Sequence, residues 1–204
     1  MIFVSYYTLN TPYEEVAKRY LIPSLERFKL NYVVEAIKNL GNWYKNTAYK
    51  AKFILEKLKL YNEVVYIDVD AEIREFPELF FNIPEEYSFA CHFLNWNDFY
   101  GYKHNPPVLE LLTGTLFIRN NPNTRQLCEE WYEKSINSYI WEQKVLQQII
   151  NNYNIKIFKL PIEYCYIATK PDGNEPNIKV NKPVIVHYQK SREFKKFIDK
   201  FKII

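Results

Sequence analysis

The sequence predicts one α/β domain with a Rossmann-like amino-terminal half, and three observations predict it. Apolar, β-branched runs at residues 2–7, 32–37 and 64–69 alternate with two amphipathic stretches of helical spacing. Strand–helix–strand–helix–strand in this order demands parallel strands joined by right-handed crossovers. The 204 residues, 48% hydrophobic and 25% charged, suffice for one proper core and are too apolar for disorder. Finally, Val64-Val65-Tyr66-Ile67-Asp68-Val69-Asp70 reads as a buried strand that ends abruptly in two carboxylates.

The elements follow in order. Residues 2–7 form the first strand. Thr11 with Glu14 matches a capping box and Pro12 suits the first helical position, so a helix runs to about Phe28 with Val16, Tyr20 and Leu25 inward. A strand at 32–37, a loop at 38–47 containing Gly41 and Trp43, and a helix from Ala48 to about Leu60 come next. Asn46 and Thr47 would open that helix at the carboxyl edge of the sheet, where amide groups and the helix dipole favour phosphate. Lys50 and Lys52 would add positive charge there, although a helical lysine is ordinarily solvated. Residues 75–80 read as a turn or short helix, 87–93 as a strand, and 95–107, with Trp96, Asp98, Tyr100 and His104, as a loop. Thr113-Gly114-Thr115 falls inside an apolar strand, and a glycine there marks close approach of a backbone or ligand. Helices are expected at 122–138 and 139–153. In the second, Glu142 and Gln143 occupy the first turn, and Val145, Leu146, Ile149 and Ile150 face inward. A strand at 155–160, a loop at 170–182 and an apolar strand at 183–187 ending in His187 complete the domain.

Side chains alternate along a strand, so Asp68 and Asp70 share one side at the carboxyl end, where open α/β sheets bind ligands. Two adjacent carboxylates repel, and a hard divalent cation with phosphate oxygens resolves the conflict. Haloacid-dehalogenase-like phosphatases also carry Asp-x-Asp after an apolar strand, but near the amino terminus and with Thr or Val two residues after the second Asp. Here Ala71 and Glu72 follow, and a complete βαβα unit precedes. The segment supports a metal–phosphate site without choosing a family. His187 directly follows a buried strand and precedes Lys190 and Arg192. An imidazole added to two carboxylates suits Mn²⁺ better than Ca²⁺.

Composition excludes some classes. A net charge of +3 gives no basis for nucleic-acid binding. Aromatic content of 18%, with 18 Tyr and 14 Phe, suits sugar or base recognition as well as a core. Three cysteines (Cys91, Cys128, Cys165) without metal-ligand spacing fit reduced thiols. With no transmembrane-length apolar run and no signal sequence, a cytoplasmic location is expected. Residues 193–204 have basic and apolar residues at helical spacing (Phe194, Phe197, Ile198, Phe201). Such a helix docks on its own domain or lies against an anionic membrane surface; docking is the expected arrangement and a weak membrane contact the alternative.

Several of these segments together resemble the nucleotide-diphospho-sugar transferases of the GT-A fold. They are Tyr6-Tyr7-Thr8, Trp43-x-x-Asn46-x-x-Tyr49-Lys50-x-x-Phe53, Val65-Tyr66-Ile67-Asp68-x-Asp70-Ala71, Leu112-Thr113-Gly114-Thr115-Leu116-Phe117-Ile118, Trp141-Glu142-Gln143-x-x-Leu146 and Val184-Ile185-Val186-His187-Tyr188. The resemblance spans roughly residues 1–192. It implies a GT-A-like domain with a mixed, mostly parallel sheet covered by helices on both faces. It further implies a metal-dependent, hexosyltransferase-like enzyme that moves a sugar from a nucleotide-diphosphate donor to an unknown acceptor, whether glycan, protein or lipid. In that scheme Asp68, Asp70 and His187 hold Mn²⁺ (or Mg²⁺). Tyr6 and Thr8 contact the nucleoside. Asn46 and Lys50 bind the donor, and Lys50, Lys190 and Arg192 assist the leaving diphosphate. Gly114 lets the donor sugar approach, with Thr113 as its partner. Glu142 and Gln143 act at the sugar or acceptor, with Asp98 a second candidate base. This chain has Glu142 where Asp is commoner. A metal-dependent phosphatase or nucleotidyltransferase, and a nucleotide-sugar-binding protein without turnover, are the alternative readings.

Overall fold

The computed structural model describes residues 1–198, with side chains through Phe194. β1 (Ile2–Thr8) leads into a helix of three parts: α1 (Tyr13–Val16), a π turn (Ala17–Leu21) and α2 (Ile22–Arg27). Pro23 accounts for the wide turn, because it has no N–H to give to the preceding turn. The predicted capping box does not form. Pro12 is the N-cap, and Thr11 Oγ1 instead donates to the Thr8 carbonyl at 2.7 Å. Val16 and Leu25 are buried, whereas Tyr20 is half-buried against Tyr188.

After β2 (Tyr32–Ile37), α3 (Trp43–Leu58) begins earlier than predicted, because the Asn42 side chain accepts the Lys45 N–H at 2.9 Å and caps it. Asn46, Thr47 and Lys50 therefore do not lie at a phosphate-binding helix start. Lys52 leans over the rings of Tyr49 and Tyr132 and does not line the cavity described below. β3 (Glu63–Ile67) stops before the aspartates, and β4 (Ala71–Ile73) follows at once. Asp68-Val69-Asp70 thus forms a turn, closed by the Ala71 N–H on the Asp68 carbonyl at 3.0 Å. Strand alternation is not what brings the two carboxylates together.

The predicted strand at 87–93 is two strands, β5 (Phe89–Cys91) and β6 (Phe93–Asn95). The predicted loop that follows contains α4 (Trp96–Tyr100), capped by the Asn95 side chain and ended by Gly101 at φ +78°. The predicted glycine-bearing strand begins late, as β8 (Thr115–Arg119), and Leu112, Thr113 and Gly114 lie between it and a preceding short strand, β7 (Leu109–Leu111). α5 (Pro122–Ile136), α6 (Glu142–Ile149), β9 (Ile157–Lys159), β10 (Tyr166–Ile167), β11 (Ile185–His187) and α7 (Ser191–Ile198) complete the described chain.

The central sheet has the order β2-β1-β3-β8-β5-β9, and β8 alone runs against the other five strands. Period-two alternation divides its side chains. Ile2, Val4, Val64 and Tyr66 pack with Phe53, Leu127, Trp131 and Leu146 on one face. Phe3, Val65 and Ile67 pack with Leu21, Leu25 and Ile73 on the other. Helices thus cover both faces. A small second sheet, β10-β11-β4, sits beyond the carboxyl end of β3. Phe194 of α7 meets the Tyr13 ring edge-on at 5.4 Å. The side chains of Phe197 and Ile198, and Phe201 with the rest of the tail, lie outside the described residues. No described helix is long and apolar enough to cross a membrane.

Candidate active site

A cavity of about 410 Å³ opens at the carboxyl ends of β1 and β3, within the size range of small-molecule sites. Asp68, Asp70 and His187 lie in its lining, and one ligand atom from each falls within 4.8 Å of the others. The two sheets create that convergence. β4 starts directly after Asp70, and its antiparallel register with β11 sets His187 opposite Ala71. The Tyr188 N–H donates to the Asp70 carbonyl at 3.0 Å, and the Lys190 N–H donates to Asp70 Oδ2 at 2.8 Å. Asp68 is tied to the break between β7 and β8 by its own N–H, which donates to the Gly114 carbonyl at 2.8 Å.

Electrostatics at this point are unbalanced. Burial and the neighbouring Asp68 charge push the Asp70 carboxyl up to about 7, against the opposing Lys190 N–H and Lys50 ammonium. Burial pushes His187 down to about 4, so its imidazole is neutral near pH 7. His187 Nε2 lies 2.8 Å from Thr115 Oγ1. A β-carbon built on Gly114 would stand 2.8 Å from His187 Cε1, 3.0 Å from Nδ1 and 3.4 Å from Asp68 Oδ2. The missing side chain at Gly114 therefore makes room for the His187 ring, and Gly114 also lines the cavity. Two carboxylates and a neutral imidazole converging in this way fit a divalent ion of the Mn²⁺ type.

Beside this trio lies a second, almost dry cluster. Lys50 Nζ sits 3.1 Å from Asp68 Oδ1 and 3.0 Å from Glu142 Oε1, with 5% and 8% of the Lys50 and Glu142 side chains exposed. It also lies over the Tyr66 ring, and the Tyr66 hydroxyl donates to Asp68 Oδ1 at 2.9 Å. Thr113 Oγ1 donates to Glu142 Oε1 at 3.0 Å. Desolvation opposes a charged Lys50, yet the two carboxylates outweigh it and hold the ammonium above its ordinary range. Burial raises the Glu142 carboxyl, and Lys50 counteracts the rise. Glu142 Oε2 is buried without a hydrogen-bond partner among the described residues. Gln143 is held by both ends of its amide: Oε1 accepts the Thr113 N–H at 3.2 Å and Nε2 donates to Glu110 Oε1 at 2.7 Å. Glu110 Oε2 accepts the Trp96 indole N–H at 2.8 Å.

The remaining sequence candidates divide. Tyr6 and Thr8 line the cavity, but the Tyr6 hydroxyl donates to the Asn46 carbonyl at 2.6 Å and the Thr8 hydroxyl is engaged by Thr11. Asn46 lines it too, while its side chain braces the preceding loop through Leu40 and Asn39. Arg192 reaches the cavity and donates to the Thr169 carbonyl. Lys190 does not line it. Its ammonium pairs with Glu193 at 2.8 Å, and only its backbone N–H serves Asp70. Asp98 is exposed and does not line the cavity. Sequence reasoning missed Tyr13, Glu110 and Gln189 as members of the site or its immediate support, and it read Thr115 within the glycine-bearing segment without its contact to His187. The first three carry no local motif and arrive through tertiary register.

Comparison with known proteins gives the context. Residues 21–196 match the family model described as nucleotide-diphospho-sugar transferase. The fold is similar to that of a glycosyltransferase involved in glycosylation of the major capsid of PBCV-1, at TM-score 0.65 and 13% identity over 98% of each chain. It is also similar to the galactosyltransferase LgtC in complex with donor and acceptor sugar analogs, at TM-score 0.56 and 12% identity over 100% of this chain and 97% of that one. Mouse xyloside xylosyltransferase 1 is similar at TM-score 0.55 and 10% identity over 93% of this chain and 98% of that one. No curated protein matches the chain.

Proposed function

The chain belongs to the nucleotide-diphospho-sugar transferases, and from that premise we propose that it moves a sugar from a nucleotide-diphosphate donor to an acceptor hydroxyl with the help of a divalent cation, Mn²⁺ or Mg²⁺. The observation that carries the proposal is the meeting of Asp68, Asp70 and His187 within 4.8 Å at the cavity wall. In the tautomer that donates Nε2–H to Thr115 Oγ1, 2.8 Å away, the Nδ1 lone pair beside Asp68 would be left for the ion. A cation held there would neutralise charge developing on the departing nucleoside diphosphate, an effect worth several kcal/mol.

The chain's own residues position and exclude. Lys50 holds Asp68 and Glu142 at fixed places through its two ion pairs, so neither carboxylate has to reorganise when ligand arrives. Glu142 lines the cavity with its carboxylate held by Lys50 and Thr113, at the edge of the space a bound sugar would fill. Gln143, clamped between Thr113 and Glu110, presents a fixed amide to the same region. Arg192 offers its guanidinium to the diphosphate, and Tyr6 and Thr8 form the nucleoside end of the cavity.

A thermal-shift series with nucleoside diphosphates and nucleotide sugars, with and without Mn²⁺, tests this reading on the wild type and on Asp70→Ala. A ligand that binds only the folded state raises Tm by mass action. A metal-dependent rise with one nucleotide, lost in Asp70→Ala, is the expected result. No rise with any nucleotide would remove the donor site. Release of inorganic phosphate or pyrophosphate, in place of nucleoside diphosphate, would replace the transferase by a phosphatase or nucleotidyltransferase.

A further inference from the structure

The loop 137–141 between α5 and α6 turns out three large side chains in succession: Tyr139 is 84% exposed, Ile140 47% and Trp141 40%. Grouped apolar exposure of this kind marks a contact surface more often than a random one. It is also braced from beneath. Trp141 lies 5.6 Å from the buried Trp43 of α3, Trp43 meets Tyr44 edge-on at 5.3 Å, and Tyr44 meets Tyr139 edge-on at 6.2 Å. The four rings form an unbroken row from open solvent to the cavity, whose lining includes both Trp43 and Trp141. Trp141 immediately precedes Glu142 and Gln143, so this lip adjoins the stretch of cavity wall that all three residues line.

We propose that the Tyr139–Trp141 lip is the acceptor subsite and that its occupant is a saccharide whose ring faces stack on the exposed side chains of Tyr139 and Trp141. The proposal rests on the transferase reading above and adds the acceptor class to it. A pyranose ring has a face of C–H groups and a rim of hydroxyls, which matches the apolar faces and polar tips of Trp and Tyr. An alkyl chain needs an enclosed groove, and Tyr139 is open to water over most of its surface. A strongly anionic polymer calls for clustered cations, and residues 137–141 carry no charge. A peptide strand calls for a sheet edge, and the lip is a loop between helices.

Titration of the full chain with maltohexaose, cellohexaose, laminarihexaose and chitohexaose, read by tryptophan fluorescence and by saturation-transfer NMR, tests the subsite. At least one of these saccharides is expected to saturate, with its ring protons in contact. Tyr139→Ser and Trp141→Ala should each weaken it about tenfold, a loss of the size expected for one stacking ring, while Trp141→Phe retains most of the affinity. Absence of binding by the wild type to all four, or equal binding by Tyr139→Ser and Trp141→Ala, overturns the proposal. Contact through the alkyl chain of octyl glucoside without contact through its sugar overturns it as well. The nucleotide-dependent Tm rise of the same proteins reports separately on the donor site, so failure of the donor reading and failure of the acceptor subsite are read from different signals.

Discussion

Replacing Gly114 by alanine isolates the steric contribution of one atom to the metal-ligand trio. Non-bonded carbons settle at about 3.5–4.0 Å, whereas the new Cβ would stand 2.8 Å from His187 Cε1. The ring must retreat by roughly 0.7–1.2 Å to restore ordinary contact. His187 is 1% exposed and fixed at 2.8 Å to Thr115 Oγ1, so the retreat compresses the core and stretches that hydrogen bond beyond its usual limit. Overpacking at about 1–3 kcal/mol and the lost bond at about 0.5–1.5 kcal/mol together give roughly 1.5–4.5 kcal/mol. For a chain of this length that corresponds to a Tm loss of roughly 3–18 °C. Displacing Nδ1 should also weaken Mn²⁺ binding about 10–100-fold, the usual effect of disturbing a ligand's support. The assay is urea unfolding in chelator, paired with Mn²⁺ titration followed by electron paramagnetic resonance in the presence of nucleoside diphosphate. Gly41→Ala is the control: at φ +100° it strains the backbone, yet no atom lies within 4 Å to clash. Unchanged Mn²⁺ affinity in Gly114→Ala, or the same affinity loss in Gly41→Ala, would refute the reasoning.

Lys50→Met leaves Asp68 and Glu142 facing each other without their shared cation, and breaking a buried pair in this way costs about 3–5 kcal/mol by urea unfolding. Adding Glu142→Leu should recover part of that loss, and a double mutant less stable than Lys50→Met would contradict the charge argument. Asp70→Asn has a pH signature. Because burial raises the Asp70 carboxyl to about 7, its ionisation destabilises the metal-free fold increasingly from the ordinary carboxylate range up to about pH 7. The variant should therefore melt higher than wild type at pH 8, equally near pH 4, and lose its response to Mn²⁺ at both; a lower Tm at pH 8 would be the wrong sign. Thr115→Val keeps shape but removes the His187 partner, and Mn²⁺ affinity should fall about 10–100-fold by calorimetry.

How much of this was legible in the sequence depends on whether the signal was local. Strand period, helix spacing and the order of elements are local, and they place β1, β2 and β3 and the buried face of α6 within a few residues. Helix starts are decided by single side chains, so Asn42 moved α3 forward to Trp43 although no apolar period changed. Breaks inside apolar runs left no trace either: residues 87–93 read as one strand yet divide where the chain leaves the central sheet, and residues 112–118 read as one strand yet pair in that sheet only from Thr115. Asp68 and Asp70 were noticed for a reason that does not hold, since a turn and not a pleat gathers them. Lys50 reads from sequence as a donor-binding helix lysine, with nothing to mark it as buried. Only the fold reveals that it lies inside, because Asp68 and Glu142, 18 and 92 positions later in the chain (68 − 50; 142 − 50), close over it from two other elements. Lys190 shows the converse. Its charge attracted attention, whereas its contribution to Asp70 is an amide that any residue there except proline would supply.

The charge balance of the cavity argues for a particular order of events. Asp68, Asp70 and Glu142 face a single buried ammonium from Lys50, and His187 is neutral at pH 7. With Asp70 ionised the cluster is therefore net negative, and a nucleoside diphosphate entering alone adds anionic oxygens to it. The guanidinium of Arg192 is the lining group placed to offset part of that repulsion. A divalent cation held by Asp68, Asp70 and His187 would supply more, and its charge would favour the ionised form of the Asp70 carboxyl. Metal and donor should thus bind with positive coupling, and by thermodynamic reciprocity each must raise the affinity of the other by the same factor. Calorimetric titration of Mn²⁺ with and without nucleoside diphosphate, and of nucleoside diphosphate with and without Mn²⁺, measures that factor twice. If nucleoside diphosphate binds equally well without the ion, the carboxylates are not in electrostatic contact with the diphosphate, and the donor lies elsewhere in the cavity.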